Sequence, residues 1–126
     1  MKLAQVGIIA TGALVHKAMC VAKKLESEGI KVKVMNMATI KPLDVNAVLE
    51  LAKETRALVT VEEHQVKGGL GGAIAEYLAE NFPTAIEFVG VKDQFGQSGT
   101  PAELIEHYGM GEKDVEAAVR KVLTRK

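Results

Sequence analysis

The chain has 126 residues, enough for one hydrophobic core and short for two. Hydrophobic residues make up 48% and charged residues 25%, and 16 basic side chains cancel 16 acidic ones, so no cation excess marks a nucleic-acid or membrane-surface partner. The single cysteine, Cys20, excludes an internal disulfide or a multi-cysteine zinc site, and no apolar run approaches the roughly 20 residues of a membrane span.

The apolar run Val6-Gly7-Ile8-Ile9-Ala10, ending at Thr11-Gly12, predicts a strand buried on both faces. Leu14, Ala18, Val21, Ala22 and Leu25 then recur at helical spacing, with Lys17, Lys23, Lys24 and Glu28 on other faces and Gly29 as terminator. Ile30, Val32 and Val34 alternate with Lys31 and Lys33 before Met35 and Met37, a second strand that belongs toward a sheet edge. After the break at Lys41-Pro42-Leu43, Asp44 is placed as N-cap of a helix carrying Val45, Val48, Leu49 and Ala52 and ending near Thr55.

Ala57-Leu58-Val59-Thr60-Val61 predicts a third strand, closing in the polar group Glu62-Glu63-His64. Past the run Gly68-Gly69-Leu70-Gly71-Gly72, the residues Leu70, Ile74, Tyr77, Leu78 and Phe82 keep helical spacing up to Pro83, and a fourth strand spans Ile86 to Val91. Thr100-Pro101-Ala102-Glu103 has the form of a capping box opening a short helix that stops at Gly109. A last helix from about Glu112 buries Val115, Ala118, Val119, Val122 and Leu123, and the basic pairs Arg120-Lys121 and Arg125-Lys126 read as its solvated face.

Four strand-helix alternations joined by short connections imply right-handed crossovers. The expected fold is α/β, a three-layer, Rossmann-like domain spanning residues 1–126. It has a mostly parallel sheet of about four to five strands and helices on both faces. The N-terminus lacks a signal-peptide core, and the apolar neighbours of Cys20 make it an inert core thiol in a reduced, cytoplasmic chain. With no Trp, three Phe and two Tyr, a stacking platform for single-stranded nucleic acid is a poor fit.

In such sheets ligands bind beyond the carboxyl ends of the strands, which directs attention to Thr11-Gly12, to residues 36–39, to Glu62-Glu63-His64 and to residues 93–99. The glycine run could cradle a phosphate at a helix start, but it follows the third strand rather than the first and lacks dinucleotide spacing, so a packing role is favoured. No Walker pattern occurs. Consecutive strand residues face opposite sides, so at most two of Glu62, Glu63 and His64 converge, and His16 and His107 lie on other helices; a metal site is not expected. Ser98 lacks a nucleophile-elbow setting, and Met35, Met37 and Met110 read as core filling. No catalytic, cofactor or metal residue is assigned. The candidates for a ligand pocket or an interface are Thr11, Gly12, Glu63, His64, Gly68 and Gly69.

Ile8-Ile9-Ala10-Thr11-Gly12, Thr39-Ile40-Lys41-Pro42-Leu43-Asp44, Val61-Glu62-Glu63-His64, Gly68-Gly69-Leu70-Gly71 and Ser98-Gly99-Thr100-Pro101-Ala102-Glu103-Leu104 together resemble the C-terminal domain of transketolase. Glu-Glu-His followed by Gly-Gly looks more like transketolases than like the related 2-oxoacid dehydrogenase β-subunits and deoxyxylulose-phosphate synthase, where Glu-Glu is commonly followed by Gly or Asn. The resemblance implies a parent enzyme that transfers a two-carbon ketol unit between sugar phosphates with thiamine diphosphate and magnesium. Those groups are held by other domains whose motifs are absent here. It implies partners, namely the cofactor-binding domains or subunit of the same enzyme, within a homo-oligomer such as a dimer. It implies an excised domain or the tail of a split enzyme, inactive alone. The family's antiparallel strand before the first parallel one is expected to be missing, since only Met1 to Gln5 precede it. The alternative from a different class is a regulatory module whose pocket, formed by the six candidates, takes a nucleotide or phosphorylated metabolite.

Overall fold

The computed structural model describes residues 3–11, 14–37, 44–65, 70–91 and 111–126. Among these residues four strands, β1 (Val6–Ala10), β2 (Val32–Asn36), β3 (Ala57–Gln65) and β4 (Ala85–Val91), alternate with four helices, α1 (Leu14–Ser27), α2 (Val45–Thr55), α3 (Leu70–Asn81) and α4 (Glu112–Arg125). The strands form one parallel sheet in the order β2-β1-β3-β4. The central strand is the one whose sequence is uninterruptedly apolar, and all five of its residues are buried. At the edge, β2 keeps Lys33 and Asn36 exposed and Val32, Val34 and Met35 half-buried, as its alternation anticipates.

The period of two along each strand divides the core between the two faces. Val6, Ile8 and Ala10 of β1 and Val59 and Val61 of β3 pack under α1 and α4, against Leu14, Val21, Val115 and Val119. Ile9, Leu58 and Ile86 face the other way, under α2 and α3, against Val48, Leu51, Ile74 and Leu78. The three-layer arrangement is therefore as expected, with four strands among the described residues. Residues 3–5, ahead of β1, carry no strand.

Local chemistry sets the element ends. Gly29 takes φ 88° after α1 while Ile30 N–H bonds Leu25 O at 3.0 Å and Gly29 N–H bonds Glu26 O, a Schellman closure that needs the glycine. Asp44 caps α2 by accepting the Ala47 N–H at 3.1 Å. At the other end of α2 the left-handed position is held by Arg56, at φ 58°, whose N–H closes on Ala52 O at 2.8 Å. Beside it the buried Thr55 hydroxyl lies 2.9 Å from Leu51 O and 3.0 Å from Ala57 O, tying the helix end to the start of β3.

One expectation is revised and one element is extended. Cys20 is half-exposed rather than core, with its Sγ 3.7 Å from His16 Nε2 one turn away on α1. The third strand runs on to Gln65, because Glu62 and Gln65 pair with Gly90 and Val91 of β4 across a register irregularity. Met37 is buried and Met35 packs on the same core, whereas the capping box at Thr100, the short helix after it, Ser98, His107 and Met110 lie outside the described residues.

Ion pairs join α1 to α4. Glu116 accepts from Lys24 at 2.7 Å and from Arg120, which also reaches Glu28 at 2.8 Å. The hydrogen bond from Lys24, then that from Arg120, holds the Glu116 carboxyl below its ordinary value. On the far side the Ala4 N–H and then Lys33 do the same for Glu54. A carboxyl whose folded pKa is depressed contributes stability above the unfolded value of about 4.3 and loses it as pH falls through the folded value. The urea midpoint is thus expected to drop as pH falls from 5 to 3, less steeply in Glu116→Gln; equal slopes would remove Glu116 from the account.

Candidate functional site

The order β2-β1-β3-β4 makes the chain leave β1 toward β2 and return on the other side of β1 at β3, so the topological switch lies between β1 and β3. Ala10 is in register with Val61. One residue further on, Thr11 and Glu62 stand level at the carboxyl ends of the two central strands. Thr11 is half-exposed and its carbonyl accepts the Leu14 N–H at 3.2 Å, turning the chain into α1. Glu62 is 2% exposed, and alternation puts it on the Leu58 and Thr60 side of the sheet, the side that α2 and α3 cover.

Of the six sequence-derived candidates, Thr11 sits at this switch. Glu63 and His64 belong by backbone to the carboxyl-end extension of β3, and their side chains lie outside what the structure describes. Gly12, Gly68 and Gly69 also lie outside the described residues. The downstream end of the glycine run has a clear role. A Cβ on Gly71 would come 2.5 Å from Phe88 Cδ1 and 2.9 Å from the buried Thr60 Oγ1. This glycine is what lets the first turn of α3 lie on β3 and β4, the packing role favoured from spacing.

Among the described residues no group of three or more His, Cys, Asp or Glu side chains is placed to hold a metal ion. No helix among them is long and apolar enough to cross a membrane. The cavity that sequence reasoning missed is at the opposite end of the sheet. About 420 Å³ in volume, it is lined by Arg56, Phe82, Pro83, Thr84, Arg125 and Lys126, among others. These residues come from three separate stretches of sequence, brought together because α4 runs antiparallel to the strands and ends beside the starts of β3 and β4. The available signal was the cationic pair Arg125-Lys126, but nothing in the sequence pairs it with Arg56.

A parallel β2-β1-β3-β4 sheet with helices on both faces is shared by many functions, so the family must come from likeness in sequence. The family model described as transketolase, C-terminal domain, matches residues 2–115. The chain belongs to the transketolase C-terminal domain family. It is 44% identical over 121 residues to the 6-deoxy-6-sulfo-D-fructose transketolase subunit of Clostridium sp. (strain MSTE9), covering 96% of this chain and 38% of that protein. It is 39% identical over 118 residues to a putative transketolase C-terminal section from Methanocaldococcus jannaschii, covering 92% of this chain and 35% of that one. A 1-deoxy-D-xylulose-5-phosphate synthase from Syntrophus aciditrophicus is 38% identical over 118 residues, 92% of this chain and 18% of the synthase.

Among solved structures, one described as a split gene transketolase, inactive β4 tetramer, superposes with a TM-score of 0.92 at 49% identity, covering 97% of this chain and 40% of that one. The chain therefore spans well under half the length of these relatives. The resemblance to the transketolase C-terminal domain read from the sequence is borne out by these matches.

Proposed function

We propose that the chain works as the C-terminal domain of a transketolase-type enzyme. In that enzyme, transfer of a two-carbon ketol unit between sugar phosphates depends on thiamine diphosphate and magnesium held by neighbouring domains or a partner subunit. The observation that carries this reading is a match along nearly the whole chain to proteins whose names include transketolase subunits and a transketolase C-terminal section. Among the described residues no three His, Cys, Asp or Glu side chains converge to hold a metal ion. No step of the transfer is routed through them. Their contribution is architectural: a rigid sheet whose carboxyl end, marked by Thr11 and the backbone of Glu63 and His64, faces the cofactor-bearing neighbours. The setting proposed is a cytoplasmic homo-oligomer, a dimer of complete units, serving pentose phosphate metabolism.

The test has two arms. The purified chain with thiamine diphosphate, magnesium, a ketose phosphate and an aldose phosphate should give no transfer, whereas addition of a cofactor-binding transketolase subunit set lacking this domain should restore it. Turnover by the chain alone, or no complementation of a set shown to be folded and cofactor-loaded, would overturn the proposal.

A further inference from the structure

The amino-terminal end of the sheet carries a cationic cavity. Arg56, Arg125 and Lys126 line it, and Lys121 stands nearby, sharing the Glu87 carboxylate with Arg125. These four cationic side chains stand against the Glu87 carboxylate, so positive charge is in excess among them. Its volume of about 420 Å³ lies within the range of small-ligand pockets. Phe82 and Pro83 supply an apolar wall and Thr84 is half-buried beside them.

Two guanidinium groups in the cavity retain donors. Arg125 is anchored through Nη1, which donates to Ile86 O at 2.8 Å and to Glu87, while its Nε and Nη2 have no partner among the described residues. The Arg56 guanidinium also has none among them. Arg56 is moreover the one described non-glycine residue with positive φ, a position where Gly or Asn is cheaper. A side chain kept at a conformational cost, exposed and uncommitted, beside a second guanidinium already fixed in place, suits recognition better than stability. Planar forks of N–H donors match phosphate oxygens, and a preanchored fork loses less freedom on binding.

We propose that this cavity binds the phosphoryl group of a small phosphate ester, gripped by Arg56 and Arg125 with Lys126 adding charge, and with the organic portion lying on Phe82 and Pro83. The chemistry could be met by free phosphate as well as by an ester, and the two are separable. In amide NMR titrations of the full chain at constant ionic strength, phenyl phosphate should move the Arg56, Thr84 and Ala85 signals saturably and bind at least threefold tighter than inorganic phosphate. Sodium chloride should leave them in place. Arg56→Asn, which keeps a residue tolerated at positive φ, should weaken phenyl phosphate at least tenfold without disturbing distant signals, and Arg56→Lys should recover part of the loss. Absence of saturation, equal shifts with chloride, inorganic phosphate binding as tightly as the ester, or unchanged affinity in Arg56→Asn would each overturn the proposal.

Discussion

Gly7→Ala is expected to destabilise the domain by about 1 to 3 kcal/mol, and Gly7→Val by more, although the position is a strand interior where glycine is intrinsically unfavourable. Gly7 is the second residue of β1, in register with Lys33 on one side and Leu58 on the other. A Cβ there would stand 2.7 Å from Leu51 Cγ and Cδ2 and 2.9 Å from Leu58 Cδ2. Both leucines are buried, at 2% and 0% exposure, so neither can swing into solvent. The relief available is to lift α2 off the sheet, which loosens Val48 and Ala52 along with Leu51. Thermal unfolding checks this, each kcal/mol being worth roughly 2 to 8 °C for domains around this size. Pairing Gly7→Ala with Leu51→Ala should cost less than the two single changes summed, because the second removes the atoms the first collides with. A Gly7→Ala protein as stable as the parent would show that α2 seats less closely than the structure has it.

The layering was legible because burial pattern and period coincide. Five consecutive apolar letters in β1 can be satisfied only by cover on both faces, and the lysine alternation of β2 only at an edge. Gly29 and Asp44 were legible as element ends for the same reason: each residue type is chemically suited to the position it fills, a positive φ in one case and an orphan N–H acceptor in the other. Arg56 ends α2 with the same geometry as a glycine would, and no residue-type signal announces it. The polar strand end Glu62-Glu63-His64 was legible as such, but its continuation to Gln65 in pairing with β4 was not, because acidic residues and His are poor strand formers. Pairing with Gly90 and Val91 of β4 overrides that preference, and such pairing is a property of the partner strand rather than of the segment itself.

The candidate sites divide in the same way. The carboxyl-end face follows from topology, so Thr11 could be placed at the switch from the order of elements alone. The cationic cavity depends on three stretches meeting, residues 56, 82–84 and 125–126, and a composition with zero net charge conceals a local excess that only the fold assembles. Arg125 and Lys126 are exposed, as a solvated helix end should be, yet each makes a defined bond: Arg125 to Ile86 O and Glu87, and Lys126 to Gln5 O at 2.9 Å.

Gly71→Val should separate the two readings of the glycine run. If the run serves packing, the substitution crowds the ring of Phe88, which a Cβ already approaches to 2.5 Å, and Thr60 Oγ1 at 2.9 Å, Thr60 being 1% exposed. Overpacking of this kind costs about 1 to 3 kcal/mol, and valine recovers only a few tenths through its better helix propensity than glycine, so a net loss of about 2 kcal/mol is expected. Phe88 is 37% exposed, so shortening it should be tolerated better than shortening a core residue. The double variant Gly71→Val with Phe88→Leu should then show a coupling of about 1 kcal/mol in favour of the pair, measured by urea unfolding of all four proteins. A phosphate cradle makes the opposite demand. Backbone N–H groups would have to approach an anion, and Gly71→Val would abolish anion binding at the start of α3 whether or not Phe88 is shortened. A Gly71→Val protein as stable as the parent, with no coupling to Phe88→Leu, would therefore remove the packing account and return the run to the list of binding elements.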